Sequence, residues 1–129
     1  MASYLLDSNI IIDVLNGKRG RGEWLANLTR QRHVLACCPI NVTEVYAGMR
    51  PHEERPTSEL LQSLQFYAIS FQVARLAGEL QNAHSKKGIS LATADVTIAA
   101  VAIYYGLTLV TDNVKHYPMK EIKLYKLPN

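Results

Sequence analysis

Four of the eleven acidic residues fall where apolar runs give way to helical patterns: Asp7, Glu44, Asp95 and Asp112. Asp7 directly follows the apolar run Tyr4-Leu5-Leu6. Glu44 stands in the expected first turn of the helix after a second apolar run over residues 34–38. Asp95 opens the most apolar helical stretch of the chain, and Asp112 follows the run over residues 107–110. In open α/β sheets ligands bind just beyond the carboxyl ends of the strands, so all four acids are expected at one edge. Two carboxylates about 5 Å apart repel by about 3 kcal/mol at an effective dielectric of about 20. Four in one pocket are hard to keep ionised without a cation. An all-oxygen donor set suits a hard divalent ion, Mg²⁺ or Mn²⁺. Such an ion serves phosphoryl and phosphodiester chemistry, offsetting charge on the reacting phosphate and lowering the pKa of water.

Each acid alone also has an ordinary explanation. Asp7 suits a helix N-cap, and Asn41-Val42-Thr43-Glu44 has the spacing of a capping box. Asp95 complements the positive end of a helix, and Asp112-Asn113 is common turn chemistry. Other chemistries find less support. His33, His52, His84 and His116 share no zinc-ligand spacing, and the adjacent Cys37 and Cys38 make neither a CxxC nor a metal pair. Phosphate-loop, dinucleotide-binding and nucleophile-elbow motifs are absent from the sequence. The Gly-Lys-Arg-Gly-Arg-Gly run at 17–22 follows a helix rather than a strand, so it reads as a flexible basic loop.

The elements that must position these acids alternate. Short strands are expected at 4–6, 34–38, 66–69, 107–110 and 122–125, with helices at 8–15, 23–30, 42–49, 57–64, 71–87 and 93–105. Val73, Leu76, Ala77, Leu80 and His84 make the 71–87 helix amphipathic. The 93–105 helix is apolar almost all round, which requires burial on most sides. Strands alternating with helices predict an α/β fold: a central parallel sheet of about five short strands flanked by helices, as one domain over residues 1–129.

Composition sets the frame. The 129 residues are 48% hydrophobic, enough for a core without disulfides. The longest apolar stretch is too short for a membrane span. The first residues lack a basic n-region and reach an acid at position 7, so a reduced, cytoplasmic protein is expected. The formal charge is +3, from 14 Lys+Arg and 11 Asp+Glu. With four acids gathered in a metal pocket, seven remain, and the rest of the chain carries 14 − 7 = +7. That charge suits a polyanion around one acidic hole.

Taken in order, Leu6-Asp7-Ser8-Asn9-Ile10, Thr43-Glu44 with Gly48, Ala94-Asp95-Val96-Thr97-Ile98, and Val110-Thr111-Asp112-Asn113 with Tyr117 resemble the PIN domain. More narrowly they resemble the VapC-type toxins of bacterial toxin–antitoxin pairs, over essentially the whole chain. The resemblance implies a PIN-like three-layer fold and a metal-dependent endoribonuclease leaving 5′-phosphate and 3′-hydroxyl ends. It also implies inhibition by a VapB-like antitoxin and assembly as a homodimer. Asp7, Glu44 and Asp95 correspond to the family's first three acids. The family commonly places an acid or Asn at the position of Asn113. Asp112 is nevertheless expected as the fourth metal carboxylate, with Asn113 as the alternative. Ser8, Asn9, Thr43 and Thr111, with Asn113, are expected to orient the carboxylates. Arg50, Lys86, Lys87 and Lys115 are candidate contacts to RNA phosphates, and Trp24, Tyr46 and Tyr117 are candidates for base stacking. A PIN nuclease of RNA maturation, and a non-catalytic RNA-binding module with the acids as caps, are the alternatives.

Overall fold

The computed structural model describes residues 2–127. Five parallel strands form one sheet: β1 (Ser3–Leu6), β2 (Val34–Cys37), β3 (Gln65–Phe66), β4 (Thr108–Val110) and β5 (Lys123–Tyr125). Their order is β3-β2-β1-β4-β5. β1 is therefore central, and the connectivity runs outward from it in both directions. The crevice beyond β1 and β4 is the topological switch point, where parallel α/β sheets bind ligands.

The side-chain period of two sorts each strand between two cores. Leu5, Ala36 and Leu109 face one cluster, while Leu6, Leu35, Cys37 and Val110 face the other. The first cluster is covered by α5 (Phe71–Ser85) and α6 (Thr93–Tyr105). The second is covered by α1 (Ser8–Leu15), α2 (Arg21–Arg30), α3 (Pro39–Ala47) and α4 (Glu54–Ser63). The expected helix–sheet–helix layering is present.

Helix α6 is buried from Val96 to Ala102, as its lack of a polar face requires. Ala99, Ala100 and Ala102 leave room for close approach by α5. Gly106, at φ 69°, ends α6 in the left-handed conformation that glycine adopts at no steric cost. The Leu107 N–H then reaches back to the Ala102 carbonyl at 2.8 Å, and the chain turns into β4.

Several boundaries differ from expectation for local reasons. Helix α3 begins at Pro39, whose missing N–H costs nothing at the first helical position, three residues before the expected start. Its true box is Cys38 with Asn41, whose Oδ1 accepts the Cys38 N–H at 2.8 Å. Glu44 is thus in the second turn of α3, and its reading as a capping residue is removed. A short 3₁₀ turn, Pro51–Glu53, leads directly into α4, which starts ahead of Pro56. The third strand is only Gln65–Phe66.

Candidate active site

Asp7 directly follows β1 and caps α1, with its backbone N–H bonded to the Val110 carbonyl of β4 at 2.9 Å. Its carboxylate is buried, at 6% exposure, and accepts three hydrogen bonds. Ser8 N–H donates to Oδ1 at 2.8 Å. Thr111 Oγ1 and Tyr117 Oη donate to Oδ2 at 2.7 and 3.1 Å. The Thr111 hydroxyl in turn accepts the Asn113 N–H at 2.9 Å, so its single proton is directed to Asp7. Asp7 does act as the N-cap of α1, but a cap needs only one of these bonds.

A second relay fixes Glu44. Asn41 is fully buried, and its Nδ2 donates to Ser8 Oγ at 3.0 Å. Ser8 Oγ donates to Glu44 Oε1 at 2.6 Å. Every donor from Cys38 N–H through Asn41 and Ser8 to Glu44 points the same way. Neighbouring residues Asp7 and Ser8 thereby tie the end of β1 to the second acid-bearing element, α3.

Asp95 sits in the first turn of α6, with His116 Nδ1 3.4 Å from its Oδ2. Burial raises its carboxyl pKa above the ordinary value, and the negative charges of Asp7 and Glu44 raise it further. His116 and the nearby Tyr117 hydroxyl offset part of that rise. Burial and the surrounding carboxylates hold the Tyr117 phenol far above its usual range, so it remains a donor. Three acids from three elements thus share one electrostatic site.

Asp112 follows β4 as expected, and its carboxylate is ion-paired. Its two oxygens are engaged by Arg21 Nη2 at 2.9 Å and Arg19 Nη1 at 3.1 Å. Both carboxylate oxygens are thus ion-paired to arginines rather than bonded to the Asp7 or Glu44 relays. The same ion pairs anchor the 17–22 loop, against the expectation of flexibility. Asn9 is exposed, and Thr43 donates to the Pro39 carbonyl of its own helix at 3.1 Å, so neither takes the expected orienting role. Ser8 and Thr111 do, joined by Asn41 and Tyr117. Asn41 carried only a capping signal in the sequence, and Tyr117 was expected to stack rather than to donate. Trp24 packs edge-on against Tyr125, away from a stacking role.

The donor set is hard oxygen throughout, and Asp95 is destabilised as an anion by burial first and by the Asp7 and Glu44 charges after it. Both properties fit a divalent cation. Among the described residues no three His, Cys, Asp or Glu groups form a ready-made metal cage. Mg²⁺ keeps several waters and takes only one or two carboxylates directly. Arg50, Lys86, Lys87 and Lys115 are all exposed, and Arg50 lies near Glu53 at 3.9 Å.

Residues 4–121 match the PIN domain family. Ribonuclease VapC10 of Mycobacterium tuberculosis is 32% identical over 117 residues, 91% of this chain and 87% of that protein. A toxin–antitoxin complex from Klebsiella pneumoniae contains a chain with 26% identity and a TM-score of 0.76, covering 96% of this chain and 99% of its own. A DNA-bound VapBC from Salmonella typhimurium has the same fold at a TM-score of 0.82 and 23% identity, over 97% and 98% of the two chains.

Proposed function

The chain belongs to the PIN domain family, within it to the VapC-type ribonucleases, and we propose that it acts as the toxin of a type II toxin–antitoxin pair. Its reaction is endonucleolytic hydrolysis of RNA phosphodiester bonds. The observation that carries this reading is the pair of hydrogen-bond relays that fix Asp7, directly after β1, and Glu44 of α3, with Asp95 of α6 electrostatically coupled to both.

Asp7, Glu44 and Asp95 would hold Mg²⁺ or Mn²⁺, which when bound supplies Lewis-acid polarisation of the phosphate and lowers the pKa of water. The protein's own groups do the positioning. Ser8, Thr111 and Tyr117 fix the Asp7 carboxylate, and Ser8 with Asn41 fixes Glu44. His116, 57% exposed in its side chain, stands at the rim beside Asp95, where it meets whatever enters. Lys86, Lys87, Lys115 and Arg50 supply positive charge for RNA phosphates. Hydrolysis in this manner leaves a 5′-phosphate and a 3′-hydroxyl.

The partner is a VapB-like antitoxin, in line with the toxin–antitoxin complex that the Klebsiella relative forms. The toxin assembles as a homodimer and works in the cytoplasm, where its RNA substrates are. Among the described residues no helix is long and apolar enough to cross a membrane.

Incubation of the purified protein with total RNA and Mn²⁺, followed by mapping of the new ends, tests this function. Internal cuts bearing 5′-phosphates support it. Intact RNA in both Mg²⁺ and Mn²⁺ refutes it.

A further inference from the structure

Three local features near the 17–22 loop run against ordinary preference. Arg21 is 6% exposed, and its Nη1 is buried without a hydrogen-bond partner. A buried guanidinium with an unbonded nitrogen is costly. The same cation lies at the N-terminus of α2, where the helix dipole disfavours it. Arg19 adopts a left-handed backbone, φ 57°, which non-glycine residues seldom do. All three features serve one result: two guanidiniums reach the single carboxylate of Asp112. Local rules broken together in this way mark a place where function sets the geometry.

Asp112 lies between the two residues that steer Asp7. Thr111 donates its hydroxyl proton to Asp7 Oδ2, and Asn113 N–H directs that proton by occupying the Thr111 oxygen. Both bonds depend on the backbone at 111–113 keeping one conformation. We propose that Arg21, acting through Asp112, is a positioning residue for Asp7. Arg21 reaches across 91 residues of sequence to hold the segment after β4. Arg19, whose side chain is 64% exposed, adds a solvent-screened second contact and contributes less. This inference rests on the reading of Asp7 as a metal-holding residue, since its consequence for metal is felt there.

The informative variant removes the pair as a unit, Arg21→Met with Asp112→Leu. Replacing both charges avoids leaving either buried alone, so the fold is retained. Two readouts separate the outcomes. Mn²⁺ affinity by calorimetry falls by about 10–100-fold, the usual effect of losing a group that orients a ligand, and kcat falls with it while KM for RNA stays near the parent value. Hydrogen exchange at the Asn113 amide speeds by about the same factor, whether or not metal is present. An unchanged Asn113 amide overturns the proposal even if the parent protein binds no metal, an outcome that would itself refute the proposed function. Parent-like Mn²⁺ affinity in the double variant overturns it as well. So does a rise in Mn²⁺ affinity in the single variant Arg21→Met, because Asp112 would then be a ligand released to the metal. A rise in KM alone would make Arg21 an RNA-phosphate contact instead and would equally overturn the positioning role.

Discussion

The Tyr117 hydroxyl donates to Asp7 Oδ2 at 3.1 Å, across 110 residues of chain, from a side chain that is itself 3% exposed. A buried phenol held far above its usual pKa cannot share the negative charge of the site. It can only donate. Tyr117→Phe removes that donor and leaves Thr111 as the one side chain bonded to Asp7. Metal affinity and RNA cleavage should each fall by about 10–100-fold, measured by Mn²⁺ titration and initial rates. A second consequence follows from the raised pKa: cleavage by the parent protein shows no loss attributable to this phenol up to about pH 10, the ordinary tyrosine value.

Asp95 gives a stability prediction whose sign follows from its raised pKa. The folded state holds the Asp95 proton more tightly than the unfolded chain does, so ionising it costs stability. That cost is absent at low pH and appears as pH rises through the folded pKa. Metal-free Asp95→Asn should therefore have a higher Tm than the parent at pH 7. The gain should shrink as pH falls into the carboxylate range, followed by thermal melts across pH 3–8, that is, about the range in which such groups titrate.

The relay to Glu44 is fragile because its middle members are buried. Ser8→Ala leaves Asn41 Nδ2 without an acceptor inside the protein and frees Glu44. An unsatisfied buried donor costs about 1–3 kcal/mol. Urea denaturation should show a loss of this size, with cleavage falling too. Thr43→Ala, on the exposed face of the same helix, should leave both near the parent values.

Cys37 and Cys38 are buried on opposite faces of the sheet, and burial raises both thiol pKa values, Cys37 to about 11. The thiolate is the reactive form. A chromogenic disulfide reagent at about pH 8, well below the Cys37 value, should leave the native protein unlabelled and react with two thiols after unfolding. Rapid labelling of the native protein would contradict the described core.

The layering of the fold was legible in the sequence because its two periods are clean. Leu5 and Leu6, or Ala36 and Cys37, alternate between cores, and α6 has no polar face to leave in water. The positions of Asp7 and Asp95 were legible for the same reason: Asp7 closes an apolar run and Asp95 opens one. The connections between these acids were less legible. Asn41 has the composition of a cap, and in fact it both caps α3 and passes a hydrogen bond to Ser8. Asp112 looked like the fourth acid because nothing local marks its partners, Arg19 and Arg21, which lie 93 and 91 residues away. The Gly-rich spacing around those arginines suggested mobility, whereas tertiary ion pairing holds them. Pairings between distant polar residues leave no periodic trace in a sequence.

The proposed function requires Asp7, Glu44 and Asp95 to act together as one metal-holding site for RNA cleavage. It is tested most directly by measuring Mn²⁺ binding, RNA cleavage and Tm on the parent, Asp7→Asn and Asp95→Asn proteins prepared alike. Both variants should lose cleavage, and Mn²⁺ affinity should fall in each. The Tm of Asp95→Asn should be kept or raised, and EDTA should silence the parent. Cleavage at the parent rate by Asp95→Asn, or cleavage undiminished in EDTA, would contradict it.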